Sequence, residues 1–130
     1  MRTFIRSRIR SFQHAFAGIW YVVRTQKNAW IHFTITILVI VLTAWLQLPL
    51  SNWAILILTI GVVWVVEFIN TSIEAAVDLA SPQRHPLAKV SKDVCAAAVL
   101  ISATVSVFIG LILFGPPLWA RFLILFNFAR

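Results

Sequence analysis

Apolar residues dominate three long stretches of the chain, and each stretch is long enough to cross a membrane as a helix. A helix needs about 20 mostly apolar residues to span the roughly 30 Å hydrocarbon core of a bilayer. The stretches cover residues 30–48, 53–80 and 94–114. Short turn-forming or polar segments separate them, at 49–52 and 81–89. The pattern predicts an all-α integral membrane protein with three transmembrane helices in a single domain, residues 1–130.

Two further segments flank the predicted spans. In residues 1–24, apolar side chains recur every three or four positions and arginines follow a second line, which predicts an amphipathic helix on a membrane surface. We predict that the third span ends at Gly115-Pro116-Pro117, because glycine and proline interrupt helices. The tail, residues 118–130, is then predicted to lie along the opposite interface.

The two connecting segments carry turn and helix-start signals. Residues 49–52 are predicted to form a tight turn, with Ser51 or Asn52 as the N-cap of the second span. In the second connection, Pro86 and Ser91 are alternative starts of the third helix. In each connection, the first residue of the next helix depends on which of these two residues begins it.

Composition and charge narrow the class of protein. Hydrophobic residues make up 61% of the chain, more than a soluble domain of 130 residues can bury. The formal net charge is +7, but the basic residues lie mainly beside the apolar stretches, and no nucleic-acid-binding motif is present. This placement fits the positive-inside rule and anionic headgroups, so we expect no nucleic-acid partner. It predicts a multi-pass protein with a cytoplasmic N-terminus and a cytoplasmic 81–89 loop.

Three of the four acidic residues lie in one segment, residues 67–78, at the end of the second predicted span. At about 100° per residue, Glu67, Asn70, Glu74 and Asp78 share one helix face, over a height of about 16 Å. Carboxylates in a membrane helix are costly unless they are paired, hydrated or bound to a cation. Three interpretations stay open: ion pairs with nearby basic residues, an ion or proton path, and a metal-dependent phosphotransfer site.

This polar face belongs to a longer pattern. The segment EFINTSIEAAVD, residues 67–78, is followed by HPLAKVSKDVCAAAVL, residues 85–100. With its ExxNTxIExxxD and KD elements, the pattern closely resembles the prokaryotic diacylglycerol kinase family, which includes diacylglycerol kinases and undecaprenol kinases. Residues 11–18 and 28–32 match as well, so the resemblance covers almost the whole chain.

The resemblance implies a homotrimer in the bacterial cytoplasmic membrane, with active sites shared between neighbouring protomers. It implies transfer of the γ-phosphate of ATP, with Mg²⁺, to a lipid alcohol at the cytoplasmic face. By position in the pattern, Glu67 is expected to be the general base, Asn70 a polar organiser and Glu74 a magnesium ligand. Nucleotide contacts are expected from eight residues: His14, Gln26, Glu74, Gln83, Arg84, His85, Lys92 and Asp93.

One position departs from the family pattern. The family has a glutamate, a second metal ligand, just before the first span, and this chain has Gln26 there. An amide oxygen can coordinate magnesium but adds no negative charge, so weaker metal binding is expected. Gln26 is either a natural variant with weaker metal binding or an engineered change that suppresses turnover.

The substrate is the least specific part of the resemblance. The HPLAK and KDV elements resemble the undecaprenol kinase branch more than the Gram-negative branch, so we expect a polyprenol that is converted to undecaprenyl phosphate. Diacylglycerol, converted to phosphatidic acid, is the alternative. A non-catalytic membrane protein that binds nucleotide or lipid is the alternative from another class, since Gln26 replaces a metal ligand. Sequence leaves open whether His32, one turn inside the first span, has a role.

Overall fold

Four α-helices account for most of the chain. In the computed structural model, which describes residues 2–128, they are α1 (Arg2–Thr25), α2 (Lys27–Trp45), α3 (Leu50–Ala80) and α4 (Pro86–Phe128). The described part of the chain contains no strand. Helices α2, α3 and α4 are each long and apolar enough to cross a membrane. The prediction of an all-α protein with three candidate membrane spans is therefore confirmed.

The turn between α2 and α3 lies earlier than predicted. α2 ends at Trp45, and Gln47 takes the left-handed conformation, with a φ of 55°. Pro49 precedes the first helical residue of α3, and no side chain caps that end. The predicted turn at 49–52 is wrong, because the chain reverses at Gln47. The predicted caps are also wrong, because α3 begins at the carbonyl of Pro49, which accepts a hydrogen bond from the Asn52 amide at 2.9 Å.

Helix α4 runs through the position where the third span was predicted to end. Pro116 and Pro117 both lie inside this 43-residue helix. Each proline removes one helical N–H donor, but apolar sequence continues on both sides, and membrane helices tolerate proline better than soluble ones. The predicted break at Gly115-Pro116-Pro117 is therefore wrong, and residues 118–128 continue α4. The placement of this end along an interface stays a prediction.

The α3–α4 hairpin positions the polar residues of the chain. These two helices make the most extensive contact between any two described helices, and residues 81–85 join them. Pro86 is the correct one of the two predicted starts of α4, since a proline suits the first helical position. At 1.5 Å per residue, the 31-residue α3 is about 46 Å long, so its polar end extends beyond a ~30 Å hydrocarbon core.

Many apolar side chains face outward rather than into a core. On α2 and α4 they include Leu38, Leu100, Phe108 and Ile112, each more than 60% exposed. α1 likewise exposes Phe4, Phe12, Phe16 and Trp20. Such surfaces suit lipid or further helices better than water. That α1 lies on a membrane surface, and that the chain forms a homotrimer, stay predictions.

Candidate active site

The carboxylate of Glu67 is the most deeply buried charged group that the structure describes. Its residue is 0% exposed, in the interior part of α3. Neither of its oxygens has a hydrogen-bond partner among the described residues. His32 of α2 faces it, with Nε2 3.8 Å from Oε2, which is too long for a hydrogen bond. Ion pairing to a lysine or arginine, the simplest explanation of the acidic segment, therefore does not account for Glu67.

The imidazole of His32 is held between α2 and α3 by aromatic packing. Its ring stands edge-on to Trp64, with ring centroids 6.3 Å apart. The indole N–H of Trp64 donates to the hydroxyl of Thr36 at 3.3 Å, and Thr36 donates to the carbonyl oxygen of His32 at 2.7 Å. Nε2 of His32 itself is buried and has no described partner. The ring is thus held beside Glu67, with Nε2 unpartnered among the described residues.

One turn and two turns further along α3, the same face carries Asn70 and Glu74. Asn70 is buried, and its side-chain amide donates to Oε1 of Glu74 at 3.2 Å. The amide oxygen of Asn70 is buried without a described partner. The Asn70 amide thus fixes the Glu74 carboxylate, and the expected role of Asn70 as a polar organiser stays a prediction. The hydroxyl of Thr71 donates to the Glu67 carbonyl at 3.0 Å and steadies the backbone there.

At the outer end of the face the carboxylates are paired. Asp78 accepts two hydrogen bonds from Nζ of Lys92, at 2.8 and 3.1 Å, and this pair joins α3 to α4. Asp93 accepts one from Lys89 at 2.6 Å, within α4. The acidic residues therefore differ in their partners: Asp78 and Asp93 pair with lysines, Glu74 accepts a hydrogen bond from Asn70, and among the described residues Glu67 has only the nearby imidazole of His32.

The loop between α3 and α4 forms one wall of an open pocket of about 690 Å³, which we call the basic pocket because three cationic side chains and two carboxylates line it. His85 accepts a hydrogen bond from the Leu87 amide through Nδ1, which caps the start of α4. A helix N-terminus favours an anion, as do the lysines and the arginine that line the pocket. Five of the expected nucleotide-contacting residues line it together with Asp78: Gln83, Arg84, His85, Lys92 and Asp93.

A second cavity, of about 350 Å³, lies between α2, α3 and α4. Its lining is mostly aliphatic, and His32, Thr36 and Trp64 are at the end that leads toward Glu67. An apolar cavity with a few polar groups at one end is typical of a site for a largely hydrocarbon ligand. Along α3, the order is the apolar cavity, Glu67, Asn70 with Glu74, and then the basic pocket.

Comparison with known proteins identifies the family. The family model for prokaryotic diacylglycerol kinase matches residues 13–114. This chain is 40% identical over 109 residues to the undecaprenol kinase of Bacillus subtilis, covering 84% of this chain and 89% of that protein. It is 41% identical to the diacylglycerol kinase of Synechocystis, over 83% of this chain and 62% of that protein, and 36% identical to the diacylglycerol kinase of Helicobacter pylori, over 88% of each.

The chain belongs to the prokaryotic diacylglycerol kinase family. It is thus a membrane protein of a lipid kinase family, and a kinase uses a nucleotide as co-substrate. In this family member, three of the expected nucleotide-contacting residues do not line the basic pocket: His14, Gln26 and Glu74, which lies one turn before Asp78 on α3. His14 is exposed on α1 and shares a shallow pocket with Arg6 and Arg10, and Gln26 sits at the junction of α1 and α2. Neither lines the basic pocket of its own protomer.

Two residues of the candidate site are not among the site residues expected from the sequence pattern. Asp78 holds Lys92 at the basic pocket, and its place on the polar face was the signal for it. His32 is brought beside Glu67 by the packing of α2 on α3, and no spacing along one helix could have indicated this pairing.

The oxygen donors on the polar face of α3 fit a magnesium ion that is bound together with ATP. The described residues contain no cluster of three or more His, Cys, Asp or Glu side chains. Mg²⁺ bound with ATP needs fewer, since it commonly keeps several waters and takes one or two protein carboxylates beside the phosphates. The Glu74 carboxylate, fixed by Asn70, and the unpartnered Asn70 oxygen are hard oxygen donors of that kind. The site fits the ion on this ground.

Proposed function

We propose that this protein is an ATP-dependent kinase of a membrane lipid alcohol, with undecaprenol as substrate and undecaprenyl phosphate as product. One observation carries the proposal: a buried carboxylate that pairs with no lysine or arginine among the described residues lies between an apolar cavity and a basic pocket on the same helix. A lipid alcohol and a nucleoside triphosphate need such opposite surroundings, and their reacting groups must meet between them.

In this proposal the basic pocket binds the phosphates of ATP. Lys92 and Arg84 offset their negative charge, and the positive end of the α4 helix dipole also favours an anion. Asp78 holds the Lys92 ammonium group toward the pocket, through two hydrogen bonds. Glu74 is the proposed magnesium ligand, with Gln26 of the same or a neighbouring protomer as a weaker one. Bound Mg²⁺ supplies charge neutralisation for the transferring phosphoryl group.

Glu67 is proposed to act on the acceptor. It lies seven residues, about 10 Å along the helix axis, on the bilayer side of Glu74. A lipid hydroxyl that arrives from the apolar cavity reaches Glu67 first, and the carboxylate takes its proton as the oxygen attacks the γ-phosphorus. ADP is the leaving group. Because the site is buried, water is kept from competing with the alcohol.

Three finer points also belong to this proposal. The active site faces the cytoplasm, where ATP is available. The active unit is a homotrimer, and the exposed apolar faces of α2 and α4 provide surfaces for contact between protomers. The preference for undecaprenol rests on the HPLAK and KDV elements and on the long match to the undecaprenol kinase of Bacillus subtilis. Diacylglycerol is the alternative substrate, since relatives of that name are about as similar.

The test is direct. Purified protein is incubated with radiolabelled MgATP and either undecaprenol or diacylglycerol in mixed micelles. Label in undecaprenyl phosphate supports the proposal. Label in phosphatidic acid alone would show that diacylglycerol is the substrate instead of undecaprenol. If neither lipid is labelled by the unsubstituted chain but one is labelled by Gln26→Glu, then Gln26 suppresses turnover. Absence of label with both forms would favour a protein that binds nucleotide or lipid without transferring phosphate.

A further inference from the structure

The side chains of His32 and Glu67 face each other across a gap, and none of the roles expected for the site residues involves His32. Nε2 of the imidazole and Oε2 of the carboxylate are 3.8 Å apart. Both atoms are buried, and neither has a hydrogen-bond partner among residues that the structure describes. The side chains are 13% and 1% exposed. Buried polar atoms are usually satisfied, so two facing each other without a partner point to a missing third group.

The size of the gap suits one small polar atom. Hydrogen bonds to oxygen are about 2.7–3.0 Å long, so an oxygen beside the line between the two atoms can contact both at that distance. A carboxylate only accepts hydrogen bonds, whereas an imidazole with a proton on Nε2 donates there. The pair therefore presents one acceptor and one donor. A hydroxyl, which donates once and also accepts, is complementary to this pair.

The gap also adjoins a place for the rest of such a molecule. His32 lines the apolar cavity, together with Thr36 and Trp64. The hydroxyl of Thr36 is already bonded to its own helix, as are those of Thr59 and Ser106, which line the same cavity. The cavity wall therefore offers little to a polar ligand except at His32. A molecule with a hydrocarbon body and one terminal hydroxyl fits this distribution.

We propose that His32 is a second binding residue for the acceptor: its Nε2 donates a hydrogen bond to the oxygen of the lipid hydroxyl whose proton Glu67 accepts. This inference rests on the proposed lipid kinase activity. In the transfer, the O–H bond breaks as the proton moves to Glu67, and the oxygen forms a bond to the γ-phosphorus. The bond from that phosphorus to the bridging oxygen breaks, and ADP leaves with the electron pair. His32 keeps its proton and orients the attacking oxygen.

Two substitutions of His32 separate this role from packing. His32→Phe keeps a ring against Trp64 but removes the donor, and His32→Gln keeps a side-chain N–H near the position of Nε2. Loss of a buried hydrogen bond predicts that kcat/KM for the lipid alcohol falls about 10- to 100-fold in His32→Phe. His32→Gln is expected to recover to within about fivefold of the natural chain, with the KM for ATP unchanged in both. Thr104→Val, at an exposed position that bonds only its own helix, is the matched control.

The kinetic result overturns the inference in either of two forms. If His32→Phe has the same kcat/KM as the unsubstituted chain, then His32 does not bind the acceptor. If the phenylalanine and glutamine variants lose activity equally, then His32 contributes only packing. Circular dichroism and thermal unfolding of both variants show whether each is folded. No transfer by the natural chain to any lipid alcohol would overturn the proposed function and the catalytic form of this inference with it.

A binding experiment without ATP tests the contact independently of turnover. The chain has three histidines, so the imidazole nitrogens can be labelled with ¹⁵N and followed by NMR while a short polyprenol alcohol is added to the micelles. We expect a saturable shift of the His32 Nε2 resonance, with His14 and His85 unmoved. The corresponding hydrocarbon without the hydroxyl is the control and should leave Nε2 unshifted. An unshifted His32 resonance at saturating alcohol, or equal shifts with the hydrocarbon, would overturn the contact.

Discussion

Glu67→Gln is the substitution that tests the centre of the site. It exchanges one carboxylate oxygen for an NH₂ group of nearly the same size and removes the ability to accept a proton. Because neither oxygen of Glu67 is hydrogen-bonded by described residues, the change breaks no hydrogen bond there. A general base contributes about 10²–10⁴ in rate, which at about 1.4 kcal/mol per factor of ten is roughly 3–5 kcal/mol of the barrier. We expect kcat for lipid phosphorylation to fall by that factor.

The same substitution should not weaken the fold. A fully buried carboxylate is costly to keep in a membrane helix, and the amide carries no charge. We expect the free energy of unfolding to stay the same or to rise by about 1 kcal/mol. ATP binding should be unchanged within about twofold, because Glu67 does not line the basic pocket. A loss of activity combined with retained stability and ATP affinity is the signature of a residue that acts on the acceptor.

Asp78→Asn provides the matched comparison on the same helix. It makes the same type of atomic change, but Asp78 is exposed and accepts two hydrogen bonds from Lys92. We expect a several-fold increase in the KM for ATP and little change in kcat. Both variants are assayed for labelled lipid, for ATP affinity and for thermal unfolding. Robust turnover by Glu67→Gln, or the same kinetic profile in both variants, would refute the assignment of Glu67 as the base.

The remaining predictions concern the nucleotide, the metal and the fold. Lys92→Gln is expected to raise the KM for ATP about tenfold, measured at saturating lipid, because it removes a charged donor to phosphate; an unchanged KM would contradict the pocket assignment. Gln26→Glu is expected to lower the Mg²⁺ concentration that gives half-maximal activity, because it adds a negative charge; no shift would place residue 26 away from the metal. Arg121→Gln is expected to lower the free energy of unfolding by about 1 kcal/mol, because Arg121 stacks on Trp45 at 4.4 Å and donates to its carbonyl. An unchanged unfolding midpoint in detergent would show that this contact contributes nothing to stability.

Sequence patterns predicted the helices and the family because those signals are local. Apolar runs give the spans by length alone, and the polar face of residues 67–78 follows from helical periodicity. Local signals failed where two of them competed. Glycine and proline at residues 115–117 predicted a helix end, but the apolar sequence beyond them continued the helix. Similarly, Ser51 or Asn52 was the expected N-cap of the second span, but Gln47 and Pro49 fixed the turn and α3 begins before both of them.

The site was predictable only in part for a related reason. Grouping Lys92 and Asp93 with the 83–85 loop needed only the short connection between α3 and α4, and these residues line one pocket. Their contacts with a nucleotide stay predictions. The contact between His32 and Glu67 depends instead on how α2 rotates against α3. Nothing within one helix specifies that rotation. The expected roles of His14 and Gln26 depend on contacts beyond the basic pocket of one protomer, and they stay predictions.

The division of the acidic face bears on the alternative that it is an ion or proton path. A path across the membrane needs polar groups or water beyond Glu67, on the bilayer side. There the cavity wall is mostly aliphatic, and its hydroxyls at Thr36, Thr59 and Ser106 are bonded to their own helices. A hydrocarbon chain is stable in such a cavity, whereas an ion would lose its hydration without replacement. The carboxylate therefore lies between an apolar cavity on one side and the basic pocket on the other, and this arrangement favours the proposed phosphoryl transfer to a lipid over transport.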